Sequence, residues 1–256
     1  MRDAPPQPLR IQSIVGLTSL YAVTTIKKEV FEKLPDFAKR FDWYKKYRLK
    51  NNRFWPKEEH SDGNELLLSM VQTDRLKSML KRLFDEQEFL SGGGIRALSK
   101  YHEAHPYSVT INGEVHTIQY DPGDSTSDMF GGNSNWRGPV WIPINFIIIQ
   151  SIRRLGKFYH DSLMVEYPTG SGNQMNLFNT STELAKRVIS MFEKDKDGNR
   201  PIYGPYNWFY KQPENEELIL FYEYFHGDTG RGLGANHQTG WSALVAELIS
   251  ELADKA

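Results

Sequence analysis

The chain has 256 residues, enough for one large domain with a core of its own. Lys and Arg number 31 against 32 Asp and Glu, and a net charge of -1 gives no reason to expect a nucleic-acid partner. Cysteine is absent, which excludes disulfides, thiolate metal sites and a cysteine nucleophile. The opening residues, MRDAPPQPLR, lack the charged-then-apolar pattern of a signal peptide, and no apolar run reaches membrane-spanning length. The expectation is a soluble, cytoplasmic protein with no membrane partner. Aromatics make up 13%, with six Trp and thirteen Tyr. Such rings suit sugar binding, because an aromatic face packs on the C–H face of a pyranose, and they equally suit an aromatic-heavy core.

In chain order, residues 1–10 read as an extended, Pro-rich N-terminal segment, and residues 11–256 as one domain. Apolar spacing predicts a helix from Ile11 to Thr25, then a helical region from Lys28 to Tyr47 interrupted near Pro35. Thr73 to Glu88 is an amphipathic helix, with Leu76, Met79, Leu80 and Leu83 on one face. His102 and His105 stand in an H-E-x-H pattern, one residue short of the zinc spacing, so no metal is expected there. Asn112-Gly113 marks a tight turn between two alternating stretches, Tyr107–Ile111 and Glu114–Tyr120, and predicts a β-hairpin.

A long polar loop, Asp121 to Asn135, carries Asp124 and Asp128 and leads into Trp136-Arg137-Gly138-Pro139. Long loops inside compact domains are often functional. Pro139 suits the first turn of a helix running through Trp141 to Tyr159. Thr180 and Glu183 match a capping box. Asp195 to Asn199 is a turn, because its glycine comes too early for a calcium loop and the twelfth position is Tyr206. Tyr203, Tyr206, Trp208 and Phe209 form an aromatic loop, and a last helix spans Gln238 to Asp254. The pattern is mainly α with a single hairpin, and nothing in it calls for a cofactor or metal.

The chemistry concentrates in Leu218–Trp241, reading LILFYEYFHGDTGRGLGANHQTGW. One acid, Glu223, is set between Tyr222 and Tyr224, with a glycine-rich turn behind it. A buried carboxylate flanked by aromatics is desolvated, which raises its pKa toward the range of a general acid or base. A carboxylate that pairs with a structural group fits the same spacing. This stretch resembles the C-terminal signature of glycoside hydrolase family 63, the processing α-glucosidases. Asn133 to Trp141, NSNWRGPVW, resembles a second signature of that family, and the resemblance runs from about Ile11 to about Leu252.

That resemblance implies a barrel of twelve helices in two rings, the (α/α)6 barrel of six-hairpin glycosidases. At about 20–30 residues per helix with its connection, this chain would supply roughly two-thirds of it. The resemblance also implies an inverting mechanism on α-glucosidic bonds of oligosaccharides, with an Asp acid and a Glu base, and Glu223 matches the base. The acid is expected in a segment just before the one that Ser13–Ala22 resembles, so the chain reads as the C-terminal portion of a catalytic domain. A missing N-terminal barrel segment would be its partner. Trp136, Arg137, Trp141, Tyr203, Trp208 and Trp241 are the candidate substrate-binding residues. Arg137 suits donation to sugar hydroxyls or pinning of its loop, and Trp141, inside the expected helix, leans toward the core. The alternative is a non-catalytic helical remnant that binds carbohydrate or another protein.

Overall fold

A computed structural model describes residues 8–51, 58–59, 64–127, 129, 135–237 and 240–253. The chain is mainly helical, with short strands in five small sheets among the described residues. It divides into two compact units, one formed by Met1–Gly16, Asp85–Asn145 and Arg187–Ala256, the other by Leu17–Phe84 and Phe146–Lys186.

The largest departure from the periodicity comes near the start of the described residues. Where a helix over Ile11–Thr25 is expected, a 3-10 helix occupies Ile14–Tyr21 and a strand follows at Val23–Lys27. A 3-10 helix has three residues per turn, so every third side chain shares a face. Ile14, Leu17 and Leu20 obey that period and are buried, while Val15 is 67% exposed. Val23, Thr24, Thr25 and Ile26 are β-branched, stiff at χ1, and prefer a pleated surface. They pair antiparallel with Glu65–Ser69, from Val23 opposite Ser69 to Lys27 opposite Glu65, and Glu58–Glu59 flanks that strand on its other edge.

Pro35 separates two helices, Lys28–Lys33 and Pro35–Lys50, as its fixed φ and missing N–H require. Thr73–Leu83 buries Leu76, Leu80 and Leu83. It stops short of Glu88 because the Asp85 carboxylate accepts the Gln87 N–H at 2.8 Å and fixes a turn. The helix Ile142–Tyr159 buries Ile148, Ile149, Ile152 and Leu155. It begins later than Pro139 because Val140 is drawn into strand pairing, leaving Trp141 immediately ahead of the first turn. The capping box at Thr180 and Glu183 is not formed. The helix Leu177–Ser190 already encloses Thr180, and Asn176 does the capping, its side-chain oxygen accepting the Asn179 N–H at 2.9 Å.

Gly156 sets how closely the helix Ile142–Tyr159 approaches the start of Leu177–Ser190, a contact that lies within the second unit. A Cβ on Gly156 would lie 2.3 Å from the Phe178 nitrogen and 2.6 Å from its Cα, and backbone cannot swing aside. Gly to Ala inside a helix ordinarily stabilises by about 1 kcal/mol. Here overpacking reverses the sign, and Gly156→Ala is expected to destabilise by about 1–3 kcal/mol. A denaturant titration reads the change directly.

The other unit holds the expected hairpin, Tyr107–Ile111 against Glu114–Ile118, with Asn112 and Gly113 both at positive φ as a two-residue turn demands. The His102 ring is buried and both its nitrogens are used: one accepts the Gln12 N–H at 2.9 Å and the other meets the His105 carbonyl at 2.9 Å. β structure extends beyond the hairpin in short pairs, Leu90–Ser91 with Gly94–Ile95 and Tyr222–Phe225 with Gly232–Asn236. The last helix is Leu244–Ala253, preceded by a 3-10 turn at Trp241–Ala243; Gln238, its expected start, lies outside the described residues.

Candidate active site

The acid of the YEYF run sits opposite a β-bulge. Tyr222 pairs with Asn236 and Tyr224 with Leu233, so Glu223 alone faces two residues, Gly234 and Ala235. A bulge bends its own strand, here Gly232–Asn236, and bulges are common beside active sites. Gly234 makes this one feasible. Its φ is +69°, and a Cβ there would lie 2.6 Å from the Glu223 Oε2 and 2.9 Å from the Glu223 Cβ. The Ala235 N–H reaches the Glu223 Oε2 at 3.5 Å. The Trp241 indole N–H donates to the Glu223 carbonyl at 2.8 Å, and the Ser242 hydroxyl donates to the Tyr222 carbonyl. Glu223 is half-buried rather than enclosed.

The WRGPVW segment is hydrogen-bonded to the same strand. Val140 and Phe225 exchange N–H···O bonds of 2.8 and 2.9 Å, bringing together two stretches more than eighty positions apart. An aromatic wall forms across this junction. Trp136 stacks on Trp141 with centroids 4.0 Å apart and planes 1° from parallel. Trp141 stacks in turn on Tyr224 at 4.9 Å and meets Trp241 edge-on at 5.8 Å. Trp141 is buried, with its indole N–H donated to the Asn135 carbonyl at 3.1 Å, whereas Trp136 and Trp241 are half-buried. Glu223 therefore stands in the run that Trp141 and Trp241 brace, and Trp136 is the outer ring of the stack.

Arg137 is 2% exposed, and its guanidinium is directed into the protein. It donates to the Asn135 side chain at 3.1 Å, to the Ser125 hydroxyl at 2.8 Å and to the Ser127 hydroxyl, and pairs with Asp121 at 3.4 Å. Of the two roles its position in the sequence allows, this geometry fits the pin for the Asp121–Ser127 loop. Asp121 is engaged by Arg137 and by the Thr126 hydroxyl. Asp124 has a 70% exposed side chain near Arg231, and Asp128 lies outside the described residues.

Tyr203 is buried, donates its hydroxyl to the Leu218 carbonyl, and stacks on Tyr210 at 3.9 Å. Trp208 is 65% exposed and touches Phe209 edge-on at 5.9 Å. The aromatic loop thus supplies one ring to the core and one to the surface. No group of three His, Asp or Glu side chains suited to a metal ion occurs among the described residues.

One network escapes sequence reasoning altogether. Asp228, in the turn behind Glu223, accepts from Arg96 at 3.0 Å and from the Tyr120 hydroxyl at 3.0 Å, with Lys100 at 3.4 Å. Arg96 is buried and also donates to the Tyr120 oxygen at 2.9 Å. These partners come from segments more than a hundred positions away from Asp228, so no local pattern announces them. Burial pushes the Asp228 carboxyl up, but the hydrogen bonds and charges of Arg96, Tyr120 and Lys100 outweigh it and hold the pKa below the usual range.

A depressed carboxyl pKa stabilises the fold above the unfolded value of about 3.9, and that stabilisation is lost as pH falls through the folded value. Asp228→Asn is expected to be less stable at neutral pH and to lose less stability on acidification below about pH 4 than the parent. Thermal melts across that range test both. Burial and hydrogen bonding push the Tyr120 hydroxyl well up, so it stays a donor at any working pH.

A family model for the mannosylglycerate hydrolase MGH1-like glycoside hydrolase domain matches residues 22–242. The uncharacterized protein YMR196W of Saccharomyces cerevisiae is 45% identical over 248 residues, which is 95% of this chain and 23% of that protein. A probable mannosyl-oligosaccharide glucosidase of Schizosaccharomyces pombe is 26% identical over 190 residues, 73% of this chain and 17% of that protein. The mannosyl-oligosaccharide glucosidase of Saccharomyces cerevisiae is 25% identical over 124 residues, 48% of this chain and 12% of that protein. The chain spans less than a quarter of the length of each of these relatives. With the family match covering most of its residues, the chain belongs to the MGH1-like glycoside hydrolases and is related to the mannosyl-oligosaccharide glucosidases of family 63.

Proposed function

We propose that this chain supplies the general-base half of an inverting α-glucosidase site, with Glu223 as the base that activates water. The observation that carries the reading is the bulge: it singles out one carboxylate, in the strand hydrogen-bonded to WRGPVW and beside the tryptophan wall. In an inverting glycosidase the two carboxyl groups stand about 6.5–9.5 Å apart, which leaves room for the attacking water. Trp136 and Trp241 would present ring faces or edges to the sugar, with Trp141 holding them from behind. Arg137 would act through the loop it pins, and Tyr203 through the core beneath the aromatic loop, whose exposed ring is Trp208.

The general acid, on this reading, is an aspartate that none of the described residues provides. Asp121 is committed to Arg137 and Thr126, and the Asp124 side chain is mostly exposed beside Arg231. The mainly helical content supports, without requiring, an (α/α)6 barrel for the assembled domain. The relatives named as mannosyl-oligosaccharide glucosidases favour a glucose in the site, and the α linkage follows the family resemblance.

The test is glucose release from α-linked disaccharides, by this chain and by a longer polypeptide that includes it. The longer polypeptide is expected to release glucose whose first-formed anomer is β, read by proton NMR before mutarotation. The chain alone is expected to release none. An α anomer formed first would overturn inversion, and ordinary turnover by the chain alone would place the acid within it. A carbohydrate-binding remnant would bind the disaccharides and release nothing in either form.

A further inference from the structure

A separate place on the unit that carries Glu223 is a cleft behind the strand pair. It encloses about 480 Å³ and is lined by the Asn199–Asn207 loop and by the turn after Tyr222–Phe225. Neither Glu223 nor any tryptophan is on its wall. A volume of this size falls in the range of small-molecule sites, about 300–1,000 Å³.

Its chemistry is one-sided. Arg200, one of whose guanidinium nitrogens already donates to the Phe192 carbonyl, and Arg231 line it, together with His226, Asn199 and Thr229. The carboxylate on the wall, Asp195, is spent on its own turn. One oxygen accepts the Asp197 N–H at 2.9 Å and the Asn199 N–H at 2.8 Å, and the other takes the Asn199 amide at 3.2 Å. These bonds, led by the Asn199 backbone N–H, hold its carboxyl below the usual range. The His226 Nδ1 accepts the N–H groups of Asp228 and Thr229 at 3.2 and 3.3 Å, so the ring proton sits on Nε2. Burial lowers the His226 pKa, which keeps the ring neutral at neutral pH. Arg231 lays its stem along Gly204 and reaches Asp124 only at 3.9 Å, on the exposed rim. Donors therefore dominate the cleft.

Next to the lining residues in the chain stand Tyr206 and Trp208, 58% and 65% exposed. Rings in that position offer faces to a pyranose. Planar guanidiniums match carboxylate and phosphate groups through paired N–H donors.

We propose that this cleft binds an anionic saccharide, a sugar phosphate or a sugar carboxylate, with Arg200 and Arg231 on the anion. The His226 Nε2–H and the Asn199 and Thr229 side chains then meet hydroxyls, and Tyr206 or Trp208 covers one face of the ring. The site is distinct from the one built on Glu223 and does not depend on it.

Isothermal titration calorimetry of the chain with glucose 6-phosphate, glucuronate, glucose and inorganic phosphate tests this. At least one of the two anionic sugars is expected to bind about tenfold or more tightly than both glucose and inorganic phosphate. Glucose 6-phosphate alone would identify the phosphate, glucuronate alone the carboxylate, and both together a general anion site. Arg231→Met keeps the stem and removes the fork, and is expected to weaken binding about tenfold. Because that stem also packs on Gly204, the unsubstituted chain supplies a second reading: binding must weaken as salt rises. Glucose or inorganic phosphate binding as tightly as the anionic sugars, salt-insensitive binding, or no binding by any of the four would overturn the proposal. Binding is read without turnover, so the result stands apart from the role of Glu223.

Discussion

Glu223→Gln is expected to lower α-glucoside hydrolysis by about 10²–10⁴-fold, measured in an active polypeptide that includes this sequence. The amide has the volume of the carboxylate, so it fits against Gly234 and can still accept the Ala235 N–H. It cannot take a proton from water. The loss should therefore fall on kcat, with KM little changed, because the substrate contacts proposed for the tryptophans remain. Far-UV circular dichroism and the melting temperature should match the parent. Turnover within about threefold of the parent would remove Glu223 from the chemistry, since a general base contributes more than that.

What the sequence made legible follows from the range of the interactions involved. The Asn112-Gly113 hairpin is local: two residues at positive φ decide it, and both strands lie beside the turn. The face of Thr73–Leu83 is local as well, because helical spacing alone lines up Leu76, Leu80 and Leu83. Ile11–Thr25 misleads because its apolar residues fit two periods. A period of three serves Ile14, Leu17 and Leu20, and the β-branched run after Tyr21 is claimed by pairing with Glu65–Ser69, some forty residues on.

The site divides the same way. Glu223 among tyrosines and the nearby GLGA can be read directly. The two-for-one register opposite Glu223 cannot, since it depends on how Tyr222 and Tyr224 pair across the turn. Arg137 has two roles open to it in the sequence, and only the folded loop brings Ser125 and Asp121 to its guanidinium. Asp228 has no local signal, because its partners Arg96 and Tyr120 lie 132 and 108 positions away.

Trp141→Ala is expected to cost about 3–5 kcal/mol of stability, the range for emptying a buried aromatic position. Trp141 is the middle of a stack: Trp136 lies on one side at 4.0 Å, Tyr224 at 4.9 Å, and the Trp241 edge at 5.8 Å. Its removal leaves a cavity that these rings cannot fill without moving, and it deprives the Asn135 carbonyl of its indole donor at 3.1 Å. At roughly 2–4 °C per kcal/mol for a chain of this size, the melting temperature should fall by about 6–20 °C. Trp208→Ala is the control. That ring is 65% exposed, and an exposed position is expected to change stability by less than about 0.5 kcal/mol. The consequence for function follows from position. Tyr224 adjoins Glu223 in the strand, and the Trp241 indole holds the Glu223 carbonyl at 2.8 Å, so both neighbours of the cavity steer the carboxylate. Even at temperatures where Trp141→Ala remains folded, turnover by an active polypeptide should drop, because misplacement by about 1 Å can cost about 10²-fold. A variant that melts within about 2 °C of the parent, well inside the shift from core truncation, would show that the stack does not carry this part of the core.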